Sequence, residues 1–266
     1  MKLREFIEHV TRKIGLRFYD SSVRAFKESI LKLLEEDPKA KLLDCGCGVG
    51  EFTLEFAKKI GTSKVYGIEI DKKAAEEAKR KGIKVYNEDL NNKFPIRSSF
   101  VDVVIASQVI EHLSETDTFV KEIYRVLKPK DYVIVSTPNL ASWHNIFALF
   151  IGRQPFPSDI CSDPSIGKLF ALSKRNSEPL SHLRIFIYYG LKELFENYSF
   201  KVRKIVGDGY YPFLGIVSKF LSFVDKKHSA YLTMKVRKND WIGLLMRLRR
   251  VIENDWPSKR YVSIRS

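Results

Sequence analysis

The chain has 266 residues, 44% of them hydrophobic, which suffices for one domain with a full core plus accessory segments. Its three cysteines, Cys45, Cys47 and Cys161, exclude a disulfide framework and make a reducing cytoplasm the expected setting. A net charge of +14 admits nucleic acid or an anionic membrane surface as a partner, although Lys- and Glu-rich helices such as 72–81 also suit a thermophile-like surface.

The N-terminal run MKLREFIEHV lacks the apolar centre of a signal peptide, and no run reaches the roughly 18 apolar residues of a spanning helix. The protein is therefore expected to be soluble, or at most peripheral to a membrane. Residues 1–38 read as a helical segment: Phe6, Val10 and Ile14, then Phe26, Ile30, Leu33 and Leu34, recur at helical spacing, and Asp37-Pro38 ends it. Residues 42–50, LLDCGCGVG, read as a short buried strand running into a glycine turn and then a helix over 51–60. Glycine lets the backbone bend sharply and admits a ligand closely, and the free N–H groups of the helix start face that turn. A dinucleotide fingerprint would need glycine or alanine at 51, where Glu51 would repel a pyrophosphate.

A second strand, 64–71 (KVYGIEID), ends in acids, and a third, 83–87, is followed by Glu88-Asp89-Leu90. The unbroken apolar run over 100–107 is a strand buried on both faces, followed by Gln108-Val109-Ile110-Glu111-His112-Leu113. A helix over 115–127 stops before Pro129, and 132–137 makes a fifth strand. Strands alternating with helices imply a parallel sheet with right-handed crossovers. Residues 138–181 break the rhythm with five prolines and an apolar helix-like piece, 143–151, and are expected to be a substrate-facing insertion. A helix over 188–198, a strand over 200–206 and an alternating, antiparallel-type strand over 229–236 complete the domain, 39–238. Between the last two strands, Phe213, Ile216, Val217, Phe220, Leu221 and Val224 form a wide apolar helix face. Packing against the core is expected of it first, and a lid or membrane-touching role second. The tail, 239–266, is basic: from Lys235 to Ser266 nine Lys and Arg face three Asp and Glu. Its stripe of Trp241, Leu244, Leu245, Leu248 and Ile252 is expected to pack on its own domain or a second subunit rather than on anionic lipid.

The pattern Asp44-x-Gly46-x-Gly48-x-Gly50, the acid after the second strand, the QVIEHL run and Leu127-Lys128-Pro129 resemble the class I S-adenosylmethionine-dependent methyltransferases, over roughly 40–140 and more thinly to about 237. That resemblance implies a Rossmann-like α/β fold, a seven-stranded sheet in order 3-2-1-4-5-7-6 with the last strand antiparallel. It implies S-adenosyl-L-methionine as cofactor, S-adenosyl-L-homocysteine as product, and an N-terminal segment that either lies over the pocket or packs on the sheet edge. Asp44 matches the acid that holds the methionine amino group, Glu69 the ribose-binding acid and Asp89 the acid on the adenine amino group. The cofactor site is thus expected at Asp44, Cys45, Gly46, Cys47, Gly48 and Gly50, at Glu69 and Ile70, at Asp89 and Leu90, and at Ser107 and Gln108. Cys45 and Cys47 fill small-residue slots in the turn rather than forming a metal pair.

Methyl transfer asks mainly for alignment of the acceptor behind the methyl group, and a hydroxyl acceptor also needs a base. His112 is the expected catalytic base, with His144 and His182 weaker candidates and Tyr188 and Tyr189 as pocket-lining ones. QVIEHL with a later His182 also resembles the metal-binding E-x-x-E-H…H arrangement of small-RNA terminal 2′-O-methyltransferases and the related run of some quinone-biosynthesis O-methyltransferases. Here Gln108 replaces the first Glu, which weakens a hard-cation site, so no metal is expected at Glu111, His112 and His182. The run His182-Leu183-Arg184-Ile185-Phe186 is similar to enzymes acting on small-molecule, lipid-linked or glycan acceptors, and O-methylation of such an acceptor is the expected function. The alternatives are an RNA methyltransferase using the basic surface and a non-catalytic, cofactor-binding partner subunit.

Overall fold

The computed structural model describes residues 21, 23–161, 166–168 and 182–239. The 1–20 part of the N-terminal segment, most of the insertion beyond 161 and all but the first residue of the basic tail lie outside the described residues. The first helix, α1 (23–33), turns Phe26, Ile30 and Leu33 inward, with Leu34 just beyond it, as their spacing requires. It packs on the sheet: Phe26 meets Tyr231 at 5.5 Å between ring centroids, and Ser29 donates a hydrogen bond to Asp208.

Strand β1 (Lys41–Cys45) runs through the core with Leu42, Leu43 and Cys45 fully buried, which accounts for its apolar composition. Helix α2 (Glu51–Ile60) starts from Gly50 at φ 83° and buries Thr53, Phe56, Ala57 and Ile60, positions i, i+3, i+4 and i+7. Strand β2 (Lys64–Ile68) is three residues shorter than its sequence pattern suggests. Beyond Ile68 the chain turns to serve other groups: Glu69 accepts from the Asp71 amide, and Asp71 caps helix α3 (Lys72–Arg80) by accepting from the Ala74 amide at 2.7 Å. Strands β3 (Lys84–Tyr86) and β4 (Val101–Ser107) follow, then a 3-10 turn (Ile110–His112) and helix α4 (Thr116–Val126).

Strand β5 (Leu127–Pro138) begins five residues earlier than expected and includes Pro129. Proline is tolerated because the pairing with β4 skips from Leu127 to Tyr132, with Lys130 at φ 68° in the bulge. Helix α5 (Trp143–Phe150) follows it; helix α6 (Tyr188–Asn197), strand β6 (Phe200–Asp208), helix α7 (Gly215–Val224), a 3-10 turn (Lys226–His228) and strand β7 (Tyr231–Lys238) complete the domain.

The seven strands form one sheet in the order β3-β2-β1-β4-β5-β7-β6, with only β7 antiparallel to its neighbours. This is the Rossmann-like arrangement expected. The carboxyl ends of β1 to β6 therefore share one edge, where ligands of open α/β sheets bind. One core cluster holds Phe119, Ile123, Phe195 and Phe200, and the other holds Ile30, Phe56, Ile60 and Ile105.

The expectation that α7 packs its apolar stripe on the core is not met. The helix buries Ser218 and Ser222 and leaves Ile216, Val217, Phe220, Phe223 and Val224 exposed. The physical reason is a hydrogen bond: Ser218 Oγ accepts from the Tyr210 amide at 2.8 Å, so the small polar side seats the helix. Helix α5 is mounted in the same way, with Asn145 and Ala148 buried and Trp143, Phe147, Leu149 and Phe150 exposed. Asn145 donates to the Asn139 carbonyl and accepts from the Phe156 amide, each at 3.0 Å. No helix among the described residues is long and apolar enough to cross a membrane.

Gly67 stands in β2 with Cys47 Sγ only 2.5 Å from where a Cβ would sit. Gly67→Ala is expected to destabilise the fold by about 1–3 kcal/mol through overpacking. Adding Cys47→Gly should restore most of the loss beyond that of Cys47→Gly alone; denaturant midpoints of the four proteins measure it.

Candidate functional site

Three glycines of the β1–α2 turn have positive φ, 75° at Gly46, 52° at Gly48 and 83° at Gly50. Two of them are glycine for want of room as well. A Cβ on Gly46 would stand 2.5 Å from Val109 Cγ2, and one on Gly50 2.5 Å from Ile83 Cδ1. Gly48 differs: nothing lies within 4 Å of its Cβ position, so the turn opens to space there. The bend is tied to β2, since the Gly46 and Cys47 amides both donate to the Ile68 carbonyl, at 2.8 and 3.3 Å.

The carboxylates stand around this bend. Glu69 accepts from the Gly48 amide at 2.8 Å and from the Asp71 amide at 2.9 Å. A carboxylate has about four lone-pair sites, so two remain for a ligand's hydroxyls. Asp44 is buried at the end of β1 and accepts from Thr53 Oγ1 at 2.6 Å. Burial pushes its carboxyl up to about 7, the Glu69 charge adds to that, and Thr53 opposes it. Such a group gains most from a cationic neighbour. Asp89, half-buried after β3, accepts from the backbone and side-chain nitrogens of Asn91. Ile70 is exposed beyond β2, whereas Leu90 is in the core.

Cys45 and Cys47 are both buried free thiols, and they pack in different core clusters. Burial raises both, Cys47 to about 12 and Cys45 well above the ordinary thiol value. Their side chains fill space, and only their backbone faces the turn.

The tip of β4 supplies the remaining groups. Ser107 ends the strand beside Ser136 of β5. Gln108 takes the uncommon φ of 57°, its amide donating to the Ser136 carbonyl and its Nε2 to Ser136 Oγ. Val109 covers Gly46, and the 3-10 turn then presents Glu111 and His112. Glu111 is buried; Oε2 accepts from Thr137 Oγ1 at 3.0 Å, and Oε1 has no partner. Burial pushes its carboxyl up to about 8, so it carries its proton at neutral pH. The Glu111 carbonyl accepts from the Leu183 and Arg184 amides, which brings the distant His182 to His112 with ring centroids 4.8 Å apart. His182 Nδ1 lies 2.6 Å from the Pro157 carbonyl; a carbonyl only accepts, so Nδ1 holds the hydrogen and Nε2 is the basic nitrogen of the neutral ring. Ligating atoms of Glu111, His112 and His182 lie within 4.8 Å of one another, close enough to hold a metal ion.

Of the weaker candidates His182 joins this group, whereas His144, Tyr188 and Tyr189 lie apart from it. His144 is packed against Phe156 and Tyr211, and burial lowers it to about 4. Tyr189 accepts a hydrogen bond from Lys227 on the surface, with Tyr188 edge-on beside it. Sequence reasoning passed over Thr53, Ser136 and Thr137. A hydroxyl residue at the third position of the helix after a glycine turn was the one available sign of Thr53. A cleft of about 440 Å³ lies between residues 114–117 and 184–187. A larger one, about 530 Å³, lies toward the opposite edge of the sheet, at Glu35, Lys235 and Arg237, away from these groups.

Residues 43–135 match the model of a methyltransferase domain. That match and the sheet order support a class I S-adenosylmethionine-dependent methyltransferase. A demethylmenaquinone methyltransferase of Staphylococcus aureus (strain JH9) is 27% identical to this methyltransferase over 220 residues, covering 77% of this chain and 85% of its own. Among solved structures, an S-adenosylmethionine-dependent methyltransferase of Thermotoga maritima superposes with a TM-score of 0.55 at 20% identity, covering 89% of this chain and 97% of that one. A methyltransferase of Haloferax volcanii, solved in complex with the Trm112 methyltransferase activator, gives 0.57 at 12% identity, covering 84% and 94%. These structures share the fold.

Three buried acids with raised pKa values make stability depend on pH in this enzyme. Asp44, Glu111 and Asp208 have folded pKa values raised to about 7, 8 and 6, above their unfolded values near 4. Their contribution is complete below about pH 4 and is lost as pH rises through about 6 to 8. Urea denaturation should therefore show lower stability at pH 9 than at pH 5, and Glu111→Gln should flatten part of that slope.

Proposed function

We propose that this methyltransferase transfers a methyl group to the hydroxyl oxygen of a small, apolar acceptor of the quinol or phenol type, with His112 as the base. The observation that carries this reading is the placement of His112 one short turn beyond Val109, which rests on the glycine bend, and beside His182. The name of the Staphylococcus relative, a demethylmenaquinone methyltransferase, supports a quinone-type acceptor.

The residues of the carboxyl edge suit S-adenosyl-L-methionine. Open space over Gly48, free acceptor capacity on Glu69 and a buried Asp44 that favours a cation match a nucleoside carrying an amino group. In this reading Glu69 takes the ribose hydroxyls, Asp44 the amino group and Asp89 the adenine amino group, while the turn amides, Ile70, Leu90, Ser107 and Gln108 line the space. When bound, that cofactor supplies a methyl group on a positive sulfur, which leaves as a neutral thioether. The protein's share is to align the acceptor and remove its proton. His112 accepts the hydroxyl proton as the new O–C bond forms. His182, anchored at Pro157, holds the His112 ring in place. Glu111, protonated and bonded to Thr137, fixes the turn that carries His112. No metal step enters this reading.

Two experiments test it. Glu69→Ala should weaken cofactor binding by about 1.5–3 kcal/mol, the range for hydrogen bonds to a charged group, as read by calorimetry; unaltered affinity would remove the ribose assignment. Incubation with labelled cofactor and a panel of quinols and phenols should give an O-methylated product by mass spectrometry. His112→Ala should then lower kcat by about 10²–10⁴-fold with cofactor affinity retained. A chelator should leave the rate unchanged; loss that a divalent cation restores would assign Glu111, His112 and His182 to a metal instead.

A further inference from the structure

Helices α5 and α7 are mounted with their polar side inward, and their outward faces are among the most exposed apolar surfaces described. Phe150 and Ile216 are each 86% exposed, and Phe223 84%. Protruding phenylalanines of this kind are rare on a solitary soluble domain. The start of α5 is tied to the two ends of α7. Trp143, at the start of α5, donates from Nε1 to Asp225 at the end of α7 and lies 4.7 Å from the His228 ring. His144 packs on Tyr211, just before α7. Both helices follow the carboxyl ends of their strands, β5 and β6, so the patch stands at the same sheet edge as the candidate site.

The charges around the patch are predominantly positive, with Glu28 of α1 paired to Lys219 at 3.0 Å. Arg153 follows α5, Lys219 lies in α7, and Lys226 and Lys227 follow it. Across residues 143–153 and 213–228 the single acid is Asp225, and it is engaged by Trp143, Tyr210 and His228. A second copy of the chain would bring like charges together across a two-fold contact, and the tail from 239 onward is itself basic. The complementary occupant is anionic outside and apolar within.

We propose that the outward faces of α5 and α7, with the rim of Arg153, Lys219, Lys226 and Lys227, seat this methyltransferase on an anionic lipid bilayer. Phe150, Ile216, Phe220 and Phe223 enter the acyl boundary while the cationic side chains meet the headgroups. The seat would present the active-site edge to an acceptor dissolved in the membrane. That consequence rests on the acceptor reading above, whereas lipid binding can be measured without turnover.

The test is co-sedimentation of the full-length protein with vesicles of phosphatidylcholine alone and of phosphatidylcholine with phosphatidylglycerol. Binding is expected to the anionic vesicles, to be weaker on the neutral ones and to fall as salt is raised. Phe220→Glu with Phe223→Glu should lower vesicle affinity by at least about tenfold, and Lys226→Glu with Lys227→Glu by about fivefold for each lysine lost. Calorimetry with S-adenosyl-L-homocysteine should show the cofactor affinity of both variants unchanged, which separates loss of the lipid seat from loss of the fold. Recovery of the native protein in the supernatant with anionic vesicles would overturn the proposal, as would native-like binding by the phenylalanine variant. A concentration-dependent dimer in light scattering that the same variant abolishes would reassign the patch to a second copy and also overturn it.

Discussion

The Ile68 carbonyl receives two amides from the glycine bend, those of Gly46 and Cys47, and the next residue, Glu69, receives a third from Gly48. Three consecutive N–H groups of a turn are thereby held by the end of the neighbouring strand. This fixes the distance between the carboxyl ends of β1 and β2, and with it the separation of Asp44 and Glu69. The close packing of Val109 on Gly46 then sets the β4 tip against the same bend. The position of His112 is thus inherited from the glycine turn through a few van der Waals contacts, and that geometry lets a cofactor cradle and a candidate base share one rim.

Electrostatics at the rim are governed by how deeply each group sits. Asp44 and Glu111 are both buried and both favour the neutral form when alone, but their surroundings differ. Asp44 sits at the end of β1 with Thr53 Oγ1 as its hydrogen-bond donor and the Glu69 charge nearby. Glu111 is enclosed between Thr137 and the backbone of Leu183 and Arg184, where a proton is the simplest counterweight. In the proposed reading one carboxyl takes the ligand's amino group and the other braces a loop. The Glu111 carbonyl draws residues 182–184, just past the insertion, to the β4 tip.

The fold was legible in the sequence because a parallel sheet writes itself in short apolar runs separated by helical periodicity. The run 100–107 and the turn residues Gly46, Gly48 and Gly50 marked strands and a turn, and the resemblance to class I methyltransferases supplied the strand order. Strand ends were read less well, because Asp71 and Glu69 leave the ladder to cap α3 and to hold the turn, a choice made by hydrogen bonds rather than by hydrophobicity. Likewise the bulge at Lys130 lets β5 run through Pro129. For α7 the apolar stripe pointed to the core, and the structure places it outward, because Ser218 and Ser222 supply the side that can approach Tyr210. Periodicity marks a helix with a face but does not say which face meets the protein. At the site, Asp44, Glu69 and Asp89 were visible as acids after strands, while Thr53, Ser136 and Thr137 became functional neighbours only through packing between distant segments.

The central claim is that the bend formed by Gly46, Gly48 and Gly50, with Asp44 and Glu69 on either side, holds the sulfonium nucleoside. A crystal structure of the protein with S-adenosyl-L-homocysteine tests it most directly. The ribose hydroxyls should lie within hydrogen-bonding distance of Glu69, the amino group near Asp44, and the sulfur on the side of the bend that faces His112. Density for the nucleoside elsewhere on the chain, or a ribose held by groups other than Glu69, would contradict it.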